Sequence, residues 1–254
     1  MQELTWPVSG TGSKAFEVTI AGGETNVLSE QGVIINSQCS WKEAYERLND
    51  FDVVVVVGGN TQEILDKKEE PLGLISAYAE LQKNDPSRER TLLSVCTGSL
   101  FLAQQGILSG LSATTHPDYI TKIETICSQN VVRGLGEHTD IIEDARYVVN
   151  NLRFDLGDED ENPYIRRKSD ASRPPNARKG SISFKAASRR ESIARRAAMR
   201  LGGLRVITSG GVAAGMDAAL YLVSILVSAE AANEVARGMQ LTWTKGVVVD
   251  GLDV

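Results

Sequence analysis

Apolar runs of strand length recur along the chain. Residues 53–57 are an uninterrupted run of valines, and further strand-length segments rich in apolar residues cover 90–95, 145–150 and 204–211. Continuous runs without polar alternation are typical of strands that are buried on both faces, as in a parallel sheet covered by helices. Residues 15–20 instead alternate apolar and polar side chains before two glycines, which predicts one more strand ending in a turn.

Segments with helical periodicity separate these runs. Ser40 is a suitable N-cap for a helix that places Ala44, Tyr45 and Leu48 on one face. Strands that alternate with helices predict an α/β fold, an open and mostly parallel sheet with helices on both faces. Ligands of such sheets bind outside the carboxyl ends of the strands. The other predicted helices cover residues 71–85, 97–106, with Gly106 closing that helix, and 215–240, which holds two.

Residues 151–203 interrupt this pattern. The segment is first acidic and then basic, rich in serine and alanine, and lacks apolar periodicity. We interpret it as a disordered or partly helical insertion in a single domain spanning 1–254. A solvated loop without function is the first alternative. A regulatory arm phosphorylated at Ser169 or Ser192, which follow paired arginines, is the second, and an error in the gene model is the third.

Composition narrows the class of protein. The chain has 254 residues, 42% of them hydrophobic, and a net charge of −6, which disfavours a nucleic-acid partner. It shows no signal peptide and no apolar run long enough to span a membrane. The three cysteines have no paired spacing, so reduced thiols and a cytoplasmic protein are expected. Without a Cys-x-x-Cys motif and with only two histidines, we expect no structural zinc site.

The candidate chemistry lies in residues 94–98, Ser-Val-Cys-Thr-Gly, between a predicted strand and a predicted helix. Small residues two positions on either side of Cys96 resemble the Gly-x-Ser-x-Gly elbow that presents the nucleophile of hydrolases. The start of a helix stabilises a thiolate, and the N–H that follows the nucleophile can stabilise an oxyanion. The alternative is a buried cysteine at a strand end, since cysteine is among the most buried residue types.

Two other loops are expected beside Cys96. Gly58 and Gly59 end a neighbouring strand and could offer a second backbone donor to an oxyanion. His116 follows two threonines shortly after the nucleophile helix, where it acts either as a base or as a capping residue. His138 is expected in an exposed loop or strand, and Cys39 and Cys127 are expected to be packing residues.

Three stretches together resemble the ThiJ/PfpI family of the class I glutamine amidotransferase-like superfamily. They are SVCTGSLFLAQQGILSGLSATTHP, VVVVVGGN and VITSGGVAAGMDAALYLV. The resemblance implies a flavodoxin-like fold, a homodimer, a small-molecule substrate and no cofactor. It implies that Cys96 is the nucleophile and that Thr97 contributes its N–H and its hydroxyl. Gly59 would be the other donor, with Gly58 allowing close approach, and His116 would lie near the cysteine.

Within that family the chain is most similar to the isocyanide hydratase branch. Glyoxalase- or deglycase-like activity, amide hydrolysis, and a redox-sensing role without catalysis are the alternatives. The chain departs from the family in one respect, because the usual first strand, with the acidic residue that hydrogen-bonds the cysteine, is not found after Met1. Glu3 and Glu17 do not lie in the matching motif. The expected fold is therefore a flavodoxin-like sheet that lacks its first strand.

Overall fold

The computed structural model describes residues 14–29, 32–85, 88–134, 136–151, 165–166 and 204–250. The chain divides into two compact units, which are described separately. The larger comprises Leu48–Ala218 and Lys245–Val254, and the smaller comprises Met1–Arg47 and Ala219–Thr244. The predicted insertion at 151–203 lies outside the described residues, apart from Asn151 and Ile165–Arg166.

The strands of the described residues are β1 Ala21–Gly22, β2 Asn26–Leu28, β3 Ile34–Asn36, β4 Cys39–Ser40, β5 Val53–Val56, β6 Arg90–Val95, β7 Ser112–Ala113, β8 Asp140–Ile141, β9 Tyr147–Asn151, β10 Ile165–Arg166, β11 Leu204–Ser209 and β12 Val247–Asp250. The helices are α1 Trp41–Glu46, α2 Gln62–Lys67, α3 Leu72–Asn84, α4 Ser99–Gln104, α5 Ile120–Val132, α6 Val212–Leu226 and α7 Ala229–Gly238. No helix in these ranges has both the length and the hydropathy needed to cross a membrane.

A six-stranded sheet organises the larger unit, in the order β10-β12-β9-β11-β6-β5. All neighbouring strands run parallel except β9 and β11, which are antiparallel. The sheet therefore confirms the predicted α/β class with a mostly parallel sheet. Strands β6 and β11 pair over their whole length, so that Val95 lies opposite Ser209 and both strands end at the same edge.

The centre of this sheet forms the core of the larger unit. The side chains of β6 from Arg90 to Ser94 are buried, as are those of β11 from Arg205 to Ser209. Helix α4 is buried from Ser99 to Ala103. Burying a large aliphatic side chain stabilises the fold by about 1.5–3 kcal/mol, so this layer holds the carboxyl ends of β6 and β11 rigidly.

Strand β5 departs from its prediction. It forms where expected, but Val55 is 51% exposed and the adjoining Val57 is 69% exposed, so the run is not buried on both faces. Among the described residues β5 pairs only with β6 and is the edge strand of the sheet. A valine run indicates a strand, but it does not distinguish an edge position from a central one.

The prediction of a strand at residues 15–20 is wrong. Residues 14–20 have no regular structure, and the nearby strand is the short β1, which pairs in parallel with β4. A strand needs a partner for its backbone groups, and the alternation of 15–20 cannot reveal whether one exists. In the same unit Ser40 caps α1 through a reciprocal bond with Glu43, as the sequence predicts, while Tyr45 is exposed.

Candidate active site

Cys96 occupies a sharp turn between β6 and α4. Its φ of 58° lies in the left-handed region, which non-glycine residues seldom adopt. A single 3₁₀ turn, Cys96–Gly98, connects it to α4. Cys96 is partly exposed, whereas Ser94 and Thr97 are buried. A strained residue at a strand-to-helix turn is the geometry that the five-residue pattern predicts for a nucleophile elbow.

Hydrogen bonds hold both ends of Cys96 in this conformation. Its N–H donates to the carbonyl of Gly210 over 3.0 Å. Its carbonyl accepts from the hydroxyls of Ser99, at 3.1 Å, and Thr115, at 3.2 Å. These bonds fix the backbone on both sides of the Cys96 side chain.

Gly58 lets the end of β5 approach the elbow closely. A Cβ atom at this position would lie 2.7 Å from the nitrogen of Thr97 and 3.0 Å from that of Gly98. These residues open a helical turn, where N–H groups have no partner inside the helix. Any larger residue at position 58 would therefore displace the turn that carries Cys96.

Thr97 binds the neighbouring glycine loop in both directions. Its Oγ1 accepts from the N–H of Gly59 at 2.9 Å and donates to the carbonyl of Gly59 at 3.0 Å. Gly59 has a φ of 146°, a conformation that L side chains rarely adopt. The Thr97 hydroxyl and the Gly59 N–H are both expected to contact substrate. In the structure they are bonded to each other. The N–H of Thr97 lies beside them.

His116 lies next to Thr115 but is not bonded to the cysteine. Its Nδ1 accepts from the backbone N–H of Asp118 at 3.2 Å and caps the short turn Pro117–Tyr119. Its ring meets that of Tyr119 edge to face, with centroids 6.0 Å apart. Within the described part of the chain, no hydrogen bond joins His116 to Cys96. The geometry is that of the capping alternative.

Two buried polar side chains attach the loop of His116 to the central sheet. Asn150 accepts from the N–H of Ser112 at 3.0 Å and donates to its carbonyl at 2.7 Å. Thr208 accepts from the N–H of Thr114 at 2.9 Å. The loop therefore has the fixed position that Thr115 needs to contact Cys96.

The remaining candidates lie apart from this turn. Cys39 and Cys127 are buried, and burial raises the pKa of the Cys127 thiol. His138 is exposed, as predicted. In the residues that the structure describes, no group of three histidines, cysteines or carboxylates is placed to hold a metal ion.

Several residues that support the turn cannot be identified from the sequence. Thr115 and Gly210 lie in two of the motif stretches, but nothing in the sequence pairs them with Cys96. Arg146 and Asp217 form an ion pair in which Asp217 is fully buried, with Arg146 Nε 2.6 Å from Asp217 Oδ2. Asp217 lies in the motif stretch VITSGGVAAGMDAALYLV, whereas Arg146 belongs to no motif.

Two solved structures are similar to that of this chain. The structure resembles DJ-1beta of Drosophila melanogaster, with 20% identity, a TM-score of 0.48, and coverage of 89% of this chain and 84% of that one. It also resembles an AraC family transcriptional regulator from Pseudomonas putida, with 15% identity, a TM-score of 0.50, and coverage of 89% and 83%. No curated protein matches the sequence.

The sequence also matches the model of a protein family. The model of the DJ-1/PfpI family matches residues 2–148, which is more than half of the chain. This range contains the glycine loop at Gly58 and Gly59, the turn at Cys96, and the loop at Thr115 and His116. The chain belongs to the DJ-1/PfpI family.

Proposed function

We propose that the protein is a cofactor-independent enzyme in which the thiolate of Cys96 attacks an electrophilic carbon of a small molecule. The observation that carries the proposal is the left-handed backbone of Cys96, which hydrogen bonds fix at both ends while the residue stays partly exposed. A cysteine that only packs in a core needs neither the strain nor the exposure. The other two cysteines, both buried, provide the contrast within the same chain.

The reaction we propose is hydration of an isocyanide. The Cys96 thiolate adds to the terminal carbon of R–N≡C, and that carbon takes up a proton, giving a thioimidate, Cys–S–CH=N–R. Water then adds to the same carbon, the C–S bond breaks, and a proton transfers to nitrogen. The products are R–NH–CHO and the free thiol. The N–H of Thr97, which follows Cys96 in the helical turn, is the donor we assign to the substrate nitrogen.

Turnover of an alkyl isocyanide tests this proposal. We expect the protein to form the N-substituted formamide, and we expect Cys96→Ala to abolish the reaction. Cys127→Ala is the matched control, since that buried thiol should not contribute. Formamide production that survives in Cys96→Ala would remove Cys96 from the mechanism, and an inactive wild-type protein would exclude isocyanide hydration.

The partial exposure of Cys96 also favours a second candidate, which is redox sensing. An accessible thiol next to backbone donors oxidises to sulfenic and then sulfinic acid more readily than a buried one. Titration with hydrogen peroxide, followed by mass spectrometry of the three cysteine peptides, should show Cys96 oxidised first. Oxidation of Cys39 or Cys127 at the same peroxide concentration would exclude this role.

A further inference from the structure

Arg146 and Asp217 form an ion pair whose carboxylate is fully buried. Asp217 is in α6 and is 0% exposed, while the side chain of Arg146, just before β9, is 38% exposed. Both Nε and Nη2 of Arg146 approach Asp217 Oδ2, at 2.6 and 2.5 Å. Burying a carboxylate is costly unless it is paired, so this contact anchors α6 to the start of β9.

The same arginine reaches Cys96 through its backbone. The carbonyl of Arg146 accepts from the N–H of Gly210 at 3.1 Å, and the carbonyl of Gly210 accepts from the N–H of Cys96 at 3.0 Å. The peptide groups of these three residues thus form one hydrogen-bonded chain. The backbone of Arg146 therefore binds Gly210, and its side chain binds Asp217 in α6.

The start of α6 packs closely against the strand and the loop beside Cys96. A Cβ at Gly215 would lie 2.7 Å from Val95 Cγ1, so the backbone of α6 lies directly against the residue that precedes Cys96. A Cβ at Gly211 would lie 3.3 Å from the ring of His116. A shift of α6 would therefore be transmitted to the end of β6 and to the His116 loop.

We propose that Arg146 and Asp217 are positioning residues, whose ion pair holds Gly210 where its carbonyl keeps Cys96 in the left-handed conformation. Neither side chain is assigned a contact with substrate. Without the pair, Gly210 loosens, Cys96 relaxes towards an ordinary backbone conformation, and its thiol turns away from solvent. The inference rests on the proposed function in one respect, because it treats Cys96 as the reactive thiol.

Asp217→Asn tests the proposal, because it keeps the shape of the side chain and removes the charge that Arg146 binds. We expect amide hydrogen exchange, followed by NMR, to accelerate about tenfold or more at Cys96 and Gly210, while the amides of Leu92 and Leu93 keep their protection. Alkylation of Cys96 by iodoacetamide should slow about tenfold, since the loosened turn presents the thiol less often.

A second variant of the ion pair and a control variant at an exposed ion pair complete the test. Arg146→Lys retains the positive charge but loses the two-nitrogen contact, so it should give the same changes at smaller amplitude even where Asp217→Asn folds poorly. Asp52→Asn breaks the exposed ion pair of Asp52 with Arg88, before β5, and should leave both measurements unchanged.

The outcomes separate this inference from the proposed function. Unchanged exchange at Cys96 and Gly210 in Asp217→Asn would overturn it. So would a uniform rise in exchange, together with a lower melting temperature and an unaltered alkylation rate, because that pattern marks a purely structural ion pair. Should wild-type Cys96 react no faster with iodoacetamide than glutathione does, the nucleophile proposal fails, while amide exchange still decides the role of the pair.

Discussion

The chemistry of Cys96 depends on its backbone as much as on its sulfur. A non-glycine residue in the left-handed region costs about 1–3 kcal/mol unless its surroundings favour it. Here the carbonyl of Gly210 and the hydroxyls of Ser99 and Thr115 supply that support. Groups that take no part in the proposed reaction therefore hold Cys96 in its conformation. Substitutions beside the turn should alter the reactivity of its thiol.

Gly58→Ala is the most direct of these substitutions. The new Cβ would lie 2.5 Å from Thr97 Oγ1 and 2.7 Å from the Thr97 nitrogen, so the turn must move. Overpacking of this kind costs about 1–3 kcal/mol, which chemical denaturation should detect, and Cys96 should be alkylated more slowly. Gly238→Ala is the control, because a Cβ there meets no atom within 4 Å. Equal stability of the two variants would contradict the close approach at Gly58.

Thr97→Val removes one hydroxyl and keeps the shape of the side chain. Gly59 then loses both the acceptor for its N–H and the donor to its carbonyl. Because Gly59 is exposed and water can replace part of these bonds, we expect a cost of about 0.5–1.5 kcal/mol. We expect a lower free energy of unfolding and faster proteolysis near Gly59. Thr97→Ser retains the hydroxyl and should stay close to the wild type. A Thr97→Val protein as stable as Thr97→Ser would show that the bonds contribute nothing.

At the scale of the secondary-structure elements, sequence reasoning works where the signal is local. The apolar run of β6, the small residues around Cys96 and the helix that Gly106 closes are adjacent in the chain, so they predict the elbow correctly. The exposure of Val55 and the absence of a strand at residues 15–20 depend on which strands become neighbours. The pairing of Arg146 with Asp217 joins residues 71 positions apart. No local pattern encodes such contacts.

The hydrogen bonds between Asn150 and the loop that carries His116 allow a prediction at this scale. Strand β7 is held to β9 through the amide of Asn150, which both accepts from and donates to Ser112. Asn150→Asp removes the donor and places a carboxylate against a carbonyl in a buried site, so we expect a loss of about 2–3 kcal/mol or more. Amide exchange should accelerate first at Ser112 and Ala113. Asn36→Asp, on an exposed strand, should change stability by less than about 0.5 kcal/mol.

At the scale of the whole molecule, three buried or partly buried groups among the described residues have pKa values that make stability depend on alkaline pH. Burial lowers the pKa of Lys245 from 10.5 to about 8. Burial raises the pKa of Cys127 above its usual 9.0, and it raises that of Tyr78, whose hydroxyl donates to the carbonyl of Phe51, above 10.0. Lys245 therefore acts in the opposite direction to the other two groups, over a different range of pH.

Between pH 8 and 9 the pH dependence of stability reports mainly on Lys245. There the unfolded chain keeps the Lys245 proton while the folded protein releases it, so the free energy of unfolding should rise with pH. Above about pH 9 and then pH 10 the unfolded chain loses the protons of Cys127 and Tyr78 that the folded protein retains, and stability should fall.

Lys245→Met tests this assignment, because it keeps the length of the side chain and cannot titrate. We expect urea unfolding to show a variant that is more stable near pH 7, by at most about 1 kcal/mol because solvent screens a partly exposed amine, with no rise between pH 8 and 9. Tyr78→Phe is the matched control, since it should keep that rise and weaken the fall above pH 10. A rise that persists in Lys245→Met would assign it to another group, because only a group that loses its proton more easily in the folded protein can stabilise it as pH increases.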